Sequence, residues 1–168
     1  MVQTGDPRHE EPVAIRRAVA ADLPALGRLG AELMRVHFAY DPRRFMDPGG
    51  DPASGYAWFL GTQLDEEDAA IFVAERGGDV LGYVYAGLEP QSWKELREAC
   101  GFIHDVVVSA EARRAGAASA LLEAALSWLR GRGAPRVMLW TATRNHGALA
   151  LFERAGFRRT MIEMTKDF

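Results

Sequence analysis

The sequence predicts a mixed α/β (α+β) fold in a single domain. The first observation is a hairpin pattern, in which apolar runs at 71–74 and 80–86 flank the turn sequence Arg-Gly-Gly-Asp. The second is a strand–helix–strand–helix pattern between residues 102 and 155. The third is size, because 168 residues with 48% hydrophobic and 26% charged residues suit one globular domain. We therefore expect one domain at 13–168, preceded by a flexible polar tail at 1–12.

The elements before the hairpin are a short strand and two helices. An apolar run at 13–15 is of strand type. Asp22 can cap a helix at 23–38, in which leucines recur at three- and four-residue spacing. The stretch 41–55 has three prolines and three glycines, which predicts a long loop. A second, weaker helix is predicted at 56–64.

The elements after the hairpin follow a polar stretch at 89–98 that favours neither helix nor strand. The region then alternates between β-branched apolar runs and amphipathic segments. Gly156 is expected to end the last helix. The predicted elements are a strand at 102–108, a helix at 116–130, a strand at 137–141, a helix at 146–155 and a final strand at 160–165.

Charge and cysteine content exclude several classes of protein. The formal net charge is −3, whereas a general nucleic-acid binder normally has a basic excess. The single cysteine, Cys100, excludes an internal disulfide, and no zinc-ligand spacing is present, so we expect no metal. The polar N-terminal stretch does not resemble a secretory signal, and no apolar run is long enough to cross a bilayer. We expect a cytoplasmic protein that binds neither nucleic acid nor membrane.

The stretch from Val106 to Leu122 predicts an anion-binding site. A buried strand ends there, and a loop of arginines and small residues leads directly into a helix. The free amides and the positive dipole end of a helix N-terminus attract phosphate groups. Small residues let a phosphate approach the backbone closely. The patterns G-x-x-x-x-G-K-[ST] and G-x-G-x-x-G are both absent from this loop, so neither a P-loop nor a dinucleotide site is predicted.

Two motifs in this region carry a family resemblance. The loop reads Arg113-x-x-Gly116-x-Ala118, and a second block reads Asn145-x-x-Ala148-x-x-x-Phe152-x-x-x-Gly156-Phe157. Together they resemble the phosphate-binding signature and the downstream N-x-x-A-x-x-x-Y-x-x-x-G-F block of the GNAT-type N-acetyltransferase superfamily. The resemblance implies a twisted, mixed, mostly antiparallel sheet of six to seven strands flanked by about four helices. It also implies that acetyl-CoA is the cosubstrate.

Within this resemblance, the site residues follow position by position. The strand backbone would bind the pantetheine arm, and the loop would hold the pyrophosphate. Asn145 would contact the cofactor, although a helix N-cap role explains it equally well. Phe152 stands where many relatives have a tyrosine that acts as general acid, and phenylalanine cannot donate a proton. The implied cofactor-binding residues are Val106, Val107, Val108, Arg113, Arg114, Ala115, Gly116, Ala117, Ala118, Ser119, Asn145 and Phe152.

A transferase acting on an amine also needs a base, because a lysine-type amine is almost fully protonated at pH 7. The candidates are His104 and Asp105, just before the valine run, with Glu89 as a further candidate. Regular alternation would place His104 on the same face as Val106 and Asp105 on the opposite face. Tyr83 and Tyr85 could protonate the leaving thiolate in place of the missing tyrosine. A non-catalytic acyl-CoA-binding or regulatory domain is the alternative function.

The amine acceptor is expected to bind through the N-terminal half. Residues 41–70 contain seven acidic residues against two arginines, which could attract a cationic amine or form a solvated loop. The last predicted strand could pair across a homodimer. The partners expected are acetyl-CoA, an amine acceptor and a second copy of the chain. Two roles are open for the aromatic residues of this half, which either line an acceptor cleft or only anchor the loop: Phe38, Tyr40, Phe45, Tyr56, Trp58 and Phe59.

Overall fold

The computed structural model describes residues 12–113 and 116–168. Almost all of the predicted tail at 1–12, together with Arg114 and Ala115, lies outside these residues. The described elements are β1 Ala14–Arg17, α1 Leu23–Tyr40, α2 Pro52–Gln63, β2 Ala69–Arg76, β3 Asp79–Glu89, β4 Cys100–Val108, α3 Ala117–Gly131, β5 Val137–Leu139 and α4 His146–Arg154. Short 3₁₀ turns at Ala20–Asp22 and Ala110–Ala112 precede α1 and α3.

The strands form one mixed sheet in the order β1-β2-β3-β4-β5. Neighbouring strands are antiparallel from β1 to β4, and β5 runs parallel to β4. Because side chains alternate along each strand, the sheet has two apolar faces. One includes Val84 and Ile103 and packs on α3, where Leu121 contacts it. The other packs on α1 and α2 and includes Tyr83 and Val107. The predicted mixed α/β fold is therefore confirmed.

Close packing of α1 on α2 depends on two glycines. A Cβ added at Gly27 would overlap the Ala53 carbonyl oxygen, and one added at Gly30 would overlap the ring of Tyr56. The helix α2 also begins four residues earlier than predicted, at Pro52. The Asp51 carboxylate caps it by accepting a hydrogen bond of 3.1 Å from the Ser54 amide. These contacts fix the Tyr56 ring against α1.

The strand β4 contains a bulge at its centre and loses its β5 partner beyond it. Tyr85 pairs with Asp105, but Ala86 pairs with Ile103, so His104 is one extra residue in β4. Pairing between β4 and β5 covers only Gly101–Ile103 and Val137–Leu139. The edge of β4 that faces β5 is therefore unpaired from His104 onward among the described residues. We call this region the β4–β5 opening.

The prediction of six to seven strands is wrong for the described part of the chain, which contains five. The predicted strand at 160–165 does not form. Its apolar residues Met161, Ile162 and Met164 are 82%, 83% and 90% exposed. An alternating pattern needs a neighbouring strand and a face to bury, and this segment has neither in the described structure. An ion pair between Glu163 and Arg44 instead ties it to the α1–α2 loop. No helix in the described residues is long and apolar enough to cross a membrane.

Candidate functional site

The predicted phosphate-binding loop leads into α3 through Gly116. This glycine precedes the helix with a φ of 78°, in the left-handed region that favours glycine. The Ala120 amide donates a hydrogen bond of 3.0 Å to the Gly116 carbonyl. The amides before Ala120 therefore lie in the first turn of the helix, where intrahelical acceptors are lacking. Ala117 is buried against the sheet, Ala118 is partly buried, and Ser119 is exposed. The turn thus presents backbone donors beside a small, accessible surface.

The strand end next to this turn offers a second binding element. Val106 and Val108 pack toward α3, and Val107 is buried toward α1 and α2. Their backbone borders the β4–β5 opening, where a ligand could take the place of a neighbouring strand. Arg113 is exposed at the end of the following 3₁₀ turn. Extended backbone, first-turn amides and a guanidinium are therefore adjacent along the chain.

The helix α4 carries the residues of the second motif. Asn145 is its N-cap, and its side-chain oxygen accepts a hydrogen bond of 3.1 Å from the Ala148 amide. Phe152 is only 8% exposed and packs in the α3-side core, with its ring centroid 5.9 Å from that of Phe157. A groove of about 200 Å³ between α3 and α4 is lined in part by Ser119 and Arg154. The Glu123 carboxylate lines the same groove, so the surface beside the first turn of α3 carries charges of both signs.

On the opposite face of the sheet, Asp105 is held between two tyrosines. Its Oδ2 accepts a hydrogen bond of 2.6 Å from the Tyr56 hydroxyl and one of 3.1 Å from the Tyr83 hydroxyl. Burial raises the pKa of Asp105, and the two hydroxyls act in the opposite direction. Burial, followed by the nearby charge of Asp105, also raises the pKa of both tyrosines, so they stay neutral donors.

His104 lies beside this cluster in an aromatic stack. Its ring centroid is 4.6 Å from that of Tyr85 and 5.0 Å from that of Phe102. Its Nε2 is 3.4 Å from Glu89 Oε1, and its side chain remains 28% exposed. Burial lowers the pKa of His104, while the carboxylates of Glu89 and Asp105 act in the opposite direction. Near pH 7 this imidazole is therefore mostly neutral and can accept a proton.

Glu89 links His104 to the loop between β3 and β4. The Arg97 guanidinium lies 3.5 Å from the Glu89 carboxylate and 2.5 Å from that of Glu95. It also donates to the Pro90 carbonyl at 2.8 Å, and its side chain is only 11% exposed. Arg97 thus balances the charge of Glu89 on the side away from the imidazole.

Comparison with known proteins identifies the family. Residues 31–157 match the model of the acetyltransferase (GNAT) family. The chain belongs to this family. It is 31% identical to a mycothiol acetyltransferase of Cellulomonas flavigena over 166 residues, covering 95% of the chain and 44% of that protein. It is 35% identical to human N-acetyltransferase 8 over 97 residues, covering 58% of the chain and 42% of that protein.

The chain spans less than half the length of these curated GNAT relatives. Solved structures share its fold. A transcriptional regulator from Bacillus halodurans has a TM-score of 0.72 at 22% identity, covering 93% of this chain and 99% of that chain. An aminoglycoside N-acetyltransferase in complex with CoA has a TM-score of 0.72 at 18% identity, covering 100% and 99%. The family predicted from the two motifs is confirmed.

The structure corrects the predicted orientation of the GNAT base candidates. Regular alternation predicted that His104 and Asp105 point to opposite faces. The bulge adds one residue, so both side chains lie on the α1/α2 face, where His104 stacks on Tyr85 and Asp105 contacts Tyr83. Val106 and Val108 pack toward α3, on the face opposite to both candidates. The two candidates therefore share one environment.

Sequence reasoning missed several contacts at this GNAT site. Tyr56 was predicted only as a cleft or anchor residue, whereas its hydroxyl binds Asp105, 49 positions away. Arg97 lies in the stretch that favoured neither helix nor strand. Tyr83 and Tyr85 were only candidates for protonating the thiolate, and their hydroxyls already donate to Asp105 and to Gln63. Pairing over such distances leaves no local signal in the sequence.

Proposed function

We propose that this chain transfers an acetyl group from acetyl-CoA to a primary amine of a small molecule or peptide, by direct attack in a ternary complex. The observation that carries the proposal is the position of His104. It follows the last residue of β4 that pairs with β5, so a neutral imidazole borders the β4–β5 opening. Membership of the GNAT family supports the reaction class. The relative solved with CoA supports the choice of cosubstrate.

The cosubstrate would bind along the α3 side of the opening. The free backbone edge of Val106, Val107 and Val108 would pair with the amides of the pantetheine arm. The first turn of α3, from Gly116 to Ser119, would bind the pyrophosphate together with Arg113. Arg114 and Ala115 belong to the same proposed loop. Asn145 caps α4, which leaves its side-chain nitrogen as a donor for the cosubstrate.

Bound acetyl-CoA supplies the thioester carbonyl that the amine attacks. His104 would first remove a proton from the ammonium group, which frees the nitrogen lone pair for attack on the thioester carbonyl, and Glu89 would stabilise the resulting imidazolium. The second proton would leave the nitrogen as the tetrahedral intermediate collapses to the amide, and it would pass to the departing thiolate or to solvent. A β4 amide at Val106 or Val107 would donate to the developing oxyanion. Asp105 would act as a positioning residue, because its Oδ2 already accepts two tyrosine hydroxyls.

The leaving group needs no dedicated acid. Phe152 lies in the core and cannot donate a proton. Burial raises the pKa of Tyr85 to about 12, and its hydroxyl already donates to Gln63. A thiol pKa near 8.5 makes expulsion of thiolate at pH 7 cost only about 2 kcal/mol. We propose that CoA leaves as the thiolate and takes its proton from solvent or from the His104 imidazolium.

Thiol release against a panel of amines, amino acids, polyamines and peptides tests this function. We expect turnover with at least one amine. Acetyl-CoA should raise the melting temperature, and Gly116→Asp should abolish that shift by placing a carboxylate against the phosphates. Arg113→Glu should weaken CoA binding and its dependence on salt. CoA binding without turnover of any amine would contradict the proposal.

That last outcome would favour the second candidate, a non-catalytic acyl-CoA-binding domain. The buried phenylalanine at position 152 is the observation that favours it. Under this function, His104→Gln and Asp105→Asn would leave the affinity for CoA unchanged.

We also propose that the chain forms a homodimer through its C-terminal segment. β5 is the edge strand of the described sheet, and residues 160–165 keep a strand-like pattern with exposed apolar side chains. A second copy could bury Met161, Ile162 and Met164 and pair with an unpaired edge. Light scattering should report a dimer that Ile162→Glu converts to a monomer. A monomeric parent protein would contradict this.

A further inference from the structure

Six aromatic rings form a continuous row across the α1/α2 face of the sheet. Each ring contacts the next by stacking or edge-to-face geometry, with centroid distances from 4.6 to 6.0 Å. Two of them, Tyr85 and Phe102, are buried and support the others. The accessible rings are Phe59 at 38%, Trp140 at 72% and the half-exposed His104 between them. We call this set the aromatic row: Tyr56, Phe59, Tyr85, His104, Phe102 and Trp140.

The row borders the proposed reaction centre. Pairing of β4 with β5 ends at Ile103 and Leu139. The residues that follow them, His104 and Trp140, are both members of the row. His104 and Trp140 both contact the Phe102 ring, with centroids 5.0 and 5.2 Å away. An amine placed at His104 would therefore have its carbon skeleton against ring surfaces.

The row offers few hydrogen-bonding groups to a ligand. The Tyr56 hydroxyl donates to Asp105, and the Tyr85 hydroxyl donates to Gln63. The neighbouring Tyr83 hydroxyl also donates to Asp105. A polyhydroxylated acceptor such as an aminosugar would lose water contacts here and gain few polar partners in exchange.

The charges beside the row favour an acceptor with a cationic amine group. Glu89 is the carboxylate next to the accessible imidazole, and Arg97 lies 3.5 Å from it. Asp105 is partly buried behind its two tyrosine donors. The Glu66 carboxylate also acts on Tyr85, so carboxylates and ring faces together would attract an ammonium group to this surface.

We propose that the acceptor is a primary amine carried on an aromatic or similarly apolar group, such as an arylalkylamine. Its amine would lie at His104, and its apolar group would lie along the row toward Trp140 or Phe59. The proposal rests on the acetyl transfer proposed above and names its acceptor class. Ring–ring contact and burial of apolar surface would provide the affinity.

Thiol release should be measured with 2-phenylethylamine, spermidine and glucosamine. We expect kcat/KM for 2-phenylethylamine to exceed that for glucosamine by about tenfold, since one well-packed ring pair contributes on that scale. Trp140→Ala and Phe59→Ala should each lower kcat/KM for 2-phenylethylamine by about three- to tenfold and leave the KM for acetyl-CoA unchanged. Both residues are exposed, so these variants should fold as the parent does.

Trp93→Ala is the matched control, because Trp93 is an 82% exposed tryptophan between β3 and β4 and is not a member of the row. It should leave kcat/KM unchanged. Preference for spermidine or glucosamine, or equal effects of the Trp93 and Trp140 variants, would overturn the proposal.

A calorimetric titration of 2-phenylethylamine into the CoA-saturated protein separates this inference from the proposed function. Suppose that 2-phenylethylamine binds, that Trp140→Ala weakens this binding about three- to tenfold, and that no amine gives thiol release. This result would support the aromatic row as the binding site and refute acetyl transfer. Thiol release from other amines, without measurable binding of 2-phenylethylamine, would refute the row and retain the transferase.

Discussion

Replacing His104 by glutamine tests the proposed base directly. Glutamine keeps a polar side chain of similar size but does not titrate. An amine with a pKa near 10.4 is neutral in only about one molecule in 2,500 at pH 7, so supplying it without a base costs about 4 to 5 kcal/mol. A positioned base commonly contributes about 100- to 10,000-fold in rate. His104→Gln should therefore lower kcat/KM at pH 7 by a factor in that range.

The pH dependence separates loss of a base from loss of packing. Above pH 7 the free amine becomes more abundant, so the deficit of His104→Gln should shrink about tenfold per pH unit. In the parent protein, burial lowers the pKa of His104, so the acidic fall in kcat/KM should lie below pH 6.5. Glu89→Gln removes a carboxylate that acts against this shift, and should move the acidic fall to still lower pH.

The assay is steady-state thiol release between pH 5.5 and 9.5 with an accepted amine. Melting temperature and CoA affinity serve as controls, and both should match the parent. A deficit for His104→Gln that is the same at every pH would refute the assignment. Activity within threefold of the parent across the range would refute it equally, and Asp105→Asn would then be the variant to follow.

Three further predictions concern the framework of the site. Gly30→Ala should destabilise the fold by about 1 to 3 kcal/mol in urea titration and lower kcat, because the new methyl overlaps the Tyr56 ring. Gly116→Ala should lower the free energy of unfolding by about 1 to 2 kcal/mol, because residue 116 has a left-handed backbone conformation. A lower melting temperature would report this loss. Hydrogen bonds from Arg16 lower the pKa of the buried Asp22, so that carboxylate stabilises the fold above its unfolded pKa near 3.9. Asp22→Asn should therefore cost about 2 kcal/mol at pH 7, and the difference should shrink as pH falls through the folded pKa.

Each of these has a contrary outcome. A Gly30→Ala protein as stable as the parent would mean that α1 and α2 separate at little cost. Unchanged melting of Gly116→Ala would mean that the loop can change its backbone freely. An Asp22→Asn deficit that persists at pH 2 would show that packing, rather than the ion pair with Arg16, stabilises this corner.

The sequence predicted those parts of the fold that local signals specify. The Gly77–Gly78 turn, the strand–loop–helix unit at Gly116 and the Asn145 cap all depend on residues within a few positions of one another. The family followed from the same segments. The contact of Tyr56 with Asp105, and the lack of a sixth strand among the described residues, depend on which distant segments pair. A period-2 pattern at 160–165 does not say whether a neighbouring edge is available.

The bulge in β4 accounts for the arrangement of side chains on this face. Without it, a histidine followed by an aspartate on a strand would place one side chain toward α1 and α2 and the other toward α3. The extra residue turns both side chains to one face, where they contact different neighbours. Asp105 is occupied by two tyrosine hydroxyls, while His104 keeps an accessible ring against Glu89. Because Oδ2 of Asp105 already accepts two hydroxyls, we propose the His104 imidazole, rather than this carboxylate, as the group on this face that would take the proton of a bound amine.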